Sequence, residues 1–514
     1  MSTPSTPAAF TDKVPLLEAA QLIAQGREPG VPFRIALGGG DELTMIRLLR
    51  VLPGKRIVGE GELNGRRVLA KLFIARGSAR HWAQERAGIE ALHHAGIATP
   101  GLLLAAPLAA GGHALLTDFL ASAESLAEAW LKHSGRPPGH AEALAALSPA
   151  FTLLGRMHAA GLVQEDLHLG NFLNQAGRLF VIDGDAVRAV TPGQPLDARH
   201  AMPNLAILLA QLPASWTAQQ DRLLAAYRLG GGRVQEALAH LPAEILRVRD
   251  GRLKSFLAKT VRDCTLFSVR QGLGRFVAAV REKAPALSLP VAAPDAQIGQ
   301  GMLLKDGATC TVARVESAAG PLVIKRYNLK NLRHALSRAW RPSRAWHSWQ
   351  AGHRLQFLGI PTPAPLALIE ERLGPLRRRA WLITEFCPGP DLLTHLSAND
   401  EPPAAEARAI VALFQSMQEQ RISHGDLKAT NLLWHEGRIL VIDLDATVQH
   451  HSAAEYARAW RRDRARLLRN WPASSVLHRW LNDTLPPVDF PPRQWRQCNE
   501  TSESGKKDIR IVSR

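Results

Sequence analysis

The chain has 514 residues, of which 46% are hydrophobic and 21% are charged. That composition supports buried cores in about three domains, or two large ones, and excludes a disordered, coiled-coil or collagen-like chain. Lysine and arginine together number 63 against 46 aspartates and glutamates, and the resulting formal net charge of +17 favours partners that carry phosphate. Because the sequence has no zinc-finger, basic-zipper or interleaved aromatic and basic pattern, we expect no nucleic-acid partner.

The first residues, which begin MSTPSTPAAF, lack a basic region followed by an apolar one, so we expect no secretory signal. The longest apolar run, GLLLAAPLAAGGHALL, is interrupted by Pro107 and two glycines and is short for a bilayer span. We therefore expect a cytoplasmic protein. The basic segment 333–349 is either a solvated helix with tryptophan anchors or a surface for peripheral contact with the anionic inner membrane.

The first half of the chain places strand-like segments before helical ones. The predicted elements are, in chain order, strands over 43–52, 56–63 and 66–73, a helix over 78–96, a strand over 114–120, a helix over 147–161 and a strand over 178–183. Asn64 and Gly65 separate two of these strands and are a strong signal for a two-residue hairpin. This order predicts a small lobe rich in strands followed by a larger lobe rich in helices.

The sequence repeats itself once. Residues 155–186 align without a gap with residues 415–446, and both stretches contain Asp-Leu, an asparagine five residues after that aspartate, and then Val-Ile-Asp. In the second copy, strands are predicted over 309–317 and 320–327 and a helix over 344–359. The chain is therefore predicted to be two copies of one α+β fold.

The predicted boundaries follow from the composition between the copies. We expect a first domain over 1–285 that ends in a helical segment over 252–283, and a linker rich in proline and alanine over 286–298. The second domain is expected over 299–490 and a loose polar tail over 491–514.

Four polar positions recur in both copies in the same order: a lysine late in an apolar strand, an aspartate, an asparagine, and an aspartate that follows an apolar strand. They are Lys71, Asp166, Asn171 and Asp183 in the first copy, and Lys325, Asp426, Asn431 and Asp443 in the second. Phosphoryl transfer from ATP needs such a set. The lysine neutralises phosphate charge, the asparagine and last aspartate supply oxygen ligands for Mg²⁺, and the first aspartate accepts or orients the acceptor hydroxyl.

With these motifs the chain resembles the protein-kinase-like fold, and within it the lipopolysaccharide kinase family, which phosphorylates heptose or Kdo in the lipopolysaccharide inner core. The strings DLHLGN, HGDLKATN, VIDGDA and VIDLDA carry the resemblance, together with the joints AGIATP and LGIPTP. It implies two tandem bilobal domains, ATP and Mg²⁺ as cofactors, and a core sugar as acceptor. The resemblance further implies that LLTDFL and LITEFC contact adenine, and that Glu85 rather than its competitor Glu90 orients Lys71.

The two copies depart from the family pattern in different places. Ser348 occupies the position that matches Glu85, so no carboxylate at that place in the helix is expected to pair with Lys325. Gln164 stands where the second copy has His424, and Asn204 stands where it has Asp463. Neither copy has a clear glycine-rich phosphate loop, and the best candidates are residues 53–56 and 305–307.

Three interpretations of function remain. The first is a kinase for a lipopolysaccharide-core sugar, and the second is a protein Ser/Thr kinase with the same phosphoryl chemistry. The third is that one or both copies bind nucleotide without turnover, which the missing partner of Lys325 would explain.

Overall fold

The computed structural model describes residues 14–133, 139–328, 342–373 and 376–487. The chain divides into two units, Met1–Arg249 and Asp250–Arg514. The predicted tail over 491–514 and residues 333–341 of the basic segment lie outside the described residues. No helix among the described residues has both the length and the apolar character needed to cross a membrane.

The first unit begins with an antiparallel six-stranded sheet. In spatial order its strands are Phe33–Ala36, Glu42–Leu52, Arg56–Leu63, Arg66–Phe73, His113–Asp118 and Leu102–Pro107. The three predicted strands and the hairpin between the last two of them are confirmed. Asn64 and Gly65, at the turn of that hairpin, both adopt positive φ. We call Arg66–Phe73 the first lysine strand. The helix Ala79–His94, here the first small-lobe helix, follows it.

The second half of the first unit is mostly helical. Its helices are Leu126–Leu131, Ala141–Ala159, Ala198–Leu209, Gln220–Leu229 and the start of Leu241–Lys259, and a short helix, Ala19–Ala24, precedes the sheet. Short 3₁₀ segments lie at Leu169–Asn171, Gly184–Ala186, Ala214–Gln219 and Gln235–His240, and short strands at Glu124–Ser125, Leu162–Gln164, Phe172–Gln175, Arg178–Val181 and Val187–Ala189. Leu147, Phe151 and Leu154 recur at helical spacing and are fully buried, which fixes the helix in the core.

The second unit has a seven-stranded antiparallel sheet. In spatial order its strands are Phe267–Gln271, Arg275–Val280, Pro365–Leu373, Leu376–Glu385, Leu322–Tyr327, Cys310–Val315 and Met302–Asp306. We call Leu322–Tyr327 the second lysine strand and Arg344–Phe357 the second small-lobe helix. Both agree with the elements predicted from the sequence.

The remaining elements of the second unit repeat those of the first. Its other helices are Ser288–Ala292, Pro294–Gln300, Leu392–His395, Ala404–Glu419, Ala453–Leu468 and Val476–Thr484, with 3₁₀ segments at Arg281–Lys283, Ala429–Asn431 and Leu444–Ala446. Short strands lie at Ile422–Ser423, Leu432–His435, Arg438–Val441 and Val448–Gln449. Two tandem units, each with a strand-rich lobe and a helical lobe, give the α+β architecture that the sequence predicts.

The region between the copies differs from the prediction. The division between the two units falls after Arg249, and the helix that spans this point ends at Lys259. Residues 267–280 form a hairpin of the second sheet, where a helical tail was predicted. Aromatic and β-branched residues on both sides of a Gly-Leu-Gly turn favour this hairpin. The predicted linker 286–298 is also structured, because Leu287, Val291 and Ile298 are buried in the core under the second sheet.

Candidate functional site

In each unit the candidate site is built around the end of the lysine strand. Val58, Lys71 and Leu115 lie opposite one another on three neighbouring strands of the first sheet, so their side chains share one face. Lys71 Nζ lies 2.6 Å from Glu85 Oε1 and 2.7 Å from Asp183 Oδ1. Burial opposes the positive charge of Lys71, but the two carboxylates outweigh it, so the pKa of Lys71 is raised.

Close packing holds Glu85 in place. The first small-lobe helix crosses the chain at Gly184, where a Cβ on Gly88 would lie 1.9 Å from the Gly184 carbonyl oxygen. This approach lets the Gly184 amide donate to Glu85 Oε1 at 3.0 Å, and Glu85 is 1% exposed. Glu90 is exposed and pairs with Arg86 on the same helix, so Glu85 is the carboxylate that reaches the lysine.

The segment Asp183–Asp185, and its counterpart Asp443–Asp445, is here called the DxD turn. Asp183 and Asp443 have φ of +69° and +58°, a left-handed conformation that aspartate tolerates better than most residues. In each unit the first aspartate of the turn contacts the lysine of the lysine strand. The lysine and the last aspartate of the predicted set therefore converge in both units.

The predicted aspartate and asparagine lie on the carboxylate loop, residues 165–171 in the first unit and 425–431 in the second. Asn171 Nδ2 donates to the Asp166 carbonyl oxygen at 2.7 Å, and the Asn171 carbonyl accepts from Ile182 N at 2.9 Å. This ladder ties the loop to the residue before Asp183. The Asp166 side chain is exposed and has no ion pair in the described part of the chain.

The second carboxylate loop repeats the ladder. Asn431 Nδ2 donates to the Asp426 carbonyl oxygen at 2.9 Å, and Ile442 N donates to the Asn431 carbonyl at 3.0 Å. The Asp426 carboxylate differs from that of Asp166, because Lys428 Nζ lies 3.1 Å from one oxygen and Arg466 contacts the other.

Gln164 and Asn204 stand in the first unit where the second unit has His424 and Asp463, and they make comparable hydrogen bonds. Gln164 Nε2 donates to the Ile182 carbonyl at 3.3 Å and to the Asp183 carbonyl at 3.0 Å, and His424 Nε2 lies 2.8 Å from the Ile442 carbonyl, the counterpart of the first of these. Asp463 accepts from the backbone N–H of His424 at 2.6 Å and of Gly425 at 3.0 Å. Asn204 accepts from Gln164 N at 3.2 Å in the same place.

The carboxylate partners of Lys325 among the described residues do not include one from the second small-lobe helix, as the sequence predicts, but Lys325 does have a second carboxylate partner. Lys325 Nζ lies 2.5 Å from Asp443 Oδ1 and 3.0 Å from Asp445 Oδ1. Burial opposes the charge on Lys325, but Tyr327, Asp445 and Asp443 together raise its pKa. The second carboxylate therefore comes from the DxD turn itself, where the first unit takes it from a helix.

Polar groups around Asp445 hold it in this position. Ser348 Oγ donates to Asp445 Oδ1 at 2.7 Å, Tyr327 Oη donates to the same oxygen at 2.8 Å, and Arg344 binds Oδ2. In the first unit the matching Asp185 pairs with Arg56 at 3.0 Å. The only signal for this role in the sequence is the second aspartate of VIDLDA, which follows Asp443 by two residues.

A cavity of about 300 Å³ opens beside Lys71 in the first unit. Its wall includes apolar side chains, among them Val58, Leu69 and Leu173, and the predicted adenine segment at Phe119. The charged residues in its wall are Arg50, Arg56, Lys71, Glu85, Asp118 and Asp183. Such a cavity fits a ligand with a flat apolar part and an anionic part.

Oxygen ligands for a hard cation lie beside Lys71. Carboxylate oxygens of Glu85, Asp183 and Asp185 lie within 4.8 Å of one another, and Glu85 Oε2 has no hydrogen-bond partner. The Asn171 amide nitrogen is occupied by its bond to the loop, which leaves its oxygen for a ligand. The donor set is therefore one that Mg²⁺ accepts.

These lobes, lysine strands and acidic turns define a protein-kinase-like enzyme. The sequence profile described as the lipopolysaccharide kinase (Kdo/WaaP) family matches residues 67–227 and 305–499, which together make up more than half of the chain. The chain therefore belongs to the lipopolysaccharide kinase (Kdo/WaaP) family, with one family domain in each unit, and is a kinase.

Two solved structures illustrate the similarity. WaaP in complex with acyl carrier protein is 25% identical over 40% of this chain and 88% of its own, with a TM-score of 0.32. The kinase domain of PknI from Mycobacterium tuberculosis is 16% identical over 36% of this chain and 78% of its own, with a TM-score of 0.26. A comparison with curated proteins found no significant match.

Proposed function

We propose that the protein transfers the γ-phosphoryl group of ATP, with Mg²⁺, to a sugar hydroxyl of the lipopolysaccharide inner core. The observation that carries this proposal is the convergence of Lys71 and Asp183 beside a cavity lined by both apolar and charged side chains. Membership of the lipopolysaccharide kinase family supports the acceptor class.

Each polar residue type that recurs in the two copies has a separate task in this proposal. Lys71 and Lys325 neutralise charge on the nucleotide phosphates, and the carboxylate partner of each lysine keeps its ammonium group in the cleft. Asn171 and Asp183, with Asn431 and Asp443 in the second unit, hold Mg²⁺ through oxygen atoms. Bound Mg²⁺ supplies positive charge to the phosphate oxygens.

The loop aspartates act on the acceptor. Asp166 and Asp426 accept the proton of the sugar hydroxyl as its oxygen bonds to the γ-phosphorus and ADP leaves. The exposure of Asp166 and its freedom from ion pairs in the described residues suit this task. Asp426 is bound by Lys428 and Arg466, so both must yield before a hydroxyl reaches it.

That difference supports a second candidate function for the second unit, namely nucleotide binding without turnover. An acceptor hydroxyl cannot bind a carboxylate oxygen that Lys428 and Arg466 already occupy. Under this alternative the first unit alone transfers phosphate. A kinase that acts on protein Ser or Thr hydroxyls is a further outcome that the same assay distinguishes.

A lipid-anchored acceptor also requires the enzyme to work beside a membrane. We propose a cytoplasmic enzyme that meets the anionic inner membrane peripherally, and the net charge of +17 supports this contact. Co-sedimentation with vesicles should be stronger for anionic than for zwitterionic lipid and should weaken in high salt. Equal binding to both lipids would contradict the membrane contact.

The transfer assay uses ATP labelled in the γ-position and deacylated core oligosaccharide. Asp183→Asn and Asp443→Asn should each lower the rate of their own unit by about 10²–10³-fold, because a metal ligand and its charge are lost together. Glu90→Gln is a matched control on an exposed carboxylate and should leave the rate unchanged. Labelled protein with unlabelled sugar would instead support a protein kinase, and no transfer at all from folded enzyme would contradict the proposal.

A further inference from the structure

The turn that joins Glu42–Leu52 to Arg56–Leu63 contains one glycine, Gly54, and is not a glycine-rich loop that could wrap phosphates with backbone N–H groups. This turn, residues 53–55, is short and closed, since Lys55 N donates to the Leu52 carbonyl and Ile74 N donates to the Lys55 carbonyl. Gly59 and Gly61 lie inside the next strand, as predicted, with backbone atoms of the neighbouring strand against them. Phosphate oxygens in this cleft must therefore find other donors.

Strand register places two arginines where such donors are needed. Arg50 pairs with Val58, and Val58 pairs with Lys71, so these three side chains lie in one row on one face of the sheet. Arg56 precedes Val58 by two residues and so shares that face. All four residues line the cavity that contains Asp183.

Both guanidinium groups retain hydrogen-bonding capacity. Arg50 is exposed and has no ion pair within the described ranges. Burial raises the pKa of Asp183, but Lys71, Arg56 and Arg50 together lower it. Arg56 is 14% exposed and uses only Nη1, which lies 3.0 Å from Asp185 and 3.8 Å from Glu85. Its Nε and Nη2 have no hydrogen-bond partner among the residues described. A planar guanidinium with two unused donors matches the geometry of phosphate oxygens.

The second unit lacks the pair. Its register is Lys305 opposite Val312 and Val312 opposite Lys325, so Lys305 takes the position of Arg50. Cys310, which precedes Val312 by two residues and is buried, takes the position of Arg56. The two units therefore offer different donors to phosphate at this place.

We propose that Arg50 and Arg56 form an arginine cradle that binds the polyphosphate of the nucleotide in the first unit, in place of a glycine-rich loop. This inference rests on the proposed nucleotide site. It adds that the two arginines let this site distinguish nucleotides by the number of their phosphates. Arg56 is held over the cleft by Asp185 before the nucleotide arrives, and it presents its remaining donors to the phosphates. Adenosine, which has no phosphate, gains nothing from either arginine.

The test is calorimetric titration of the full chain. All proteins carry Lys325→Met, which is intended to weaken nucleotide binding by the second unit. The ligands are the non-hydrolysable triphosphate AMP-PNP with Mg²⁺, AMP and adenosine. Arg50→Ala and Arg56→Ala should each weaken AMP-PNP binding roughly tenfold, the factor carried by one charge-assisted hydrogen bond, and leave adenosine binding within about twofold. Arg47→Ala, which changes an arginine of the same strand that pairs with Glu60, should not alter AMP-PNP binding.

Each outcome separates the cradle from the nucleotide site itself. If Lys71→Met abolishes AMP-PNP binding but both arginine variants bind normally, the cradle is wrong and the nucleotide site stands. If Lys71→Met also binds normally, the proposed nucleotide site fails as well. A parallel loss of adenosine affinity would overturn the cradle, because it would indicate general damage to the cleft. Arg50→Ala breaks no ion pair among the described residues, so it tests the cradle even if Arg56→Ala is unstable.

Discussion

Asp445 should contribute more to the stability of the second unit than the matching residue Asp185 contributes to the stability of the first. Asp445 is 12% exposed on its side chain and accepts from Lys325, Tyr327, Ser348 and Arg344. Asp185 is 27% exposed, and its side chain pairs with Arg56. The substitutions Asp445→Asn and Asp185→Asn are therefore matched in sequence position and chemistry but differ in what they disconnect.

The expected magnitude follows from what each partner loses. Breaking a buried ion pair by neutralising one member costs about 3–5 kcal/mol. Lys325 keeps Asp443 at 2.5 Å, and Arg344 is 40% exposed and can turn to water, so we expect about 3 kcal/mol for Asp445→Asn. Asp185→Asn leaves Lys71 with both of its carboxylates, and we expect about 1 kcal/mol or less.

Native-state hydrogen exchange measures the two units separately, because each lysine strand gives its own peptides. About 3 kcal/mol corresponds to roughly a hundredfold faster exchange in Leu322–Tyr327 when opening is at equilibrium. Arg66–Phe73 should change much less in Asp185→Asn. Equal effects in the two strands, or unchanged exchange in Leu322–Tyr327, would refute the assignment of Asp445 as the lysine's second partner.

Three further predictions concern the framework of the sites. Gly88→Ala should push the first small-lobe helix away from Gly184, lower the free energy of unfolding by about 3 kcal/mol and weaken AMP-PNP binding, and normal binding by a folded variant would contradict the packing argument. Asp463→Ala should leave two buried N–H groups unpaired and lower the melting temperature, whereas Asp463→Asn should retain part of the stability, as Asn204 does in the first unit; equal losses would count against this role. His158 is buried with its pKa lowered to about 4, so the unfolded chain binds a proton first as the pH falls below about 6.5. Stability of the first unit should therefore decline by about 3 kcal/mol between pH 6.5 and 4, and denaturant unfolding of His158→Gln should lack that part of the slope.

The sequence was informative where one residue type is required by the chemistry. The recurring lysine and the aspartate of Val-Ile-Asp meet at the lysine strand in both units, as their shared order in the two copies predicted. Glu85 could be preferred over Glu90 only by resemblance, and the structure explains the choice by the close approach at Gly88. The two-unit architecture followed from the repeat.

Other features could not be predicted because several residue types do the same physical work. Gln164 and His424 both present a nitrogen to a carbonyl at the end of a strand, so the difference between them is not a loss of support. Asp445 reaches Lys325 across the fold, a contact that no local pattern encodes. Residues 267–280 form a hairpin. The sequence before them is helical, and a continuation of that helix was therefore the simpler prediction.

The central claim is most directly tested by transfer of labelled γ-phosphate from ATP to core oligosaccharide by the full chain and by the double variant Asp183→Asn/Asp443→Asn. The account predicts sugar-bound label with the unaltered enzyme, and a loss of at least a hundredfold in the folded double variant. Label transferred equally well by both proteins would contradict it, since phosphoryl transfer would then not depend on the acidic turns that meet the two lysine strands.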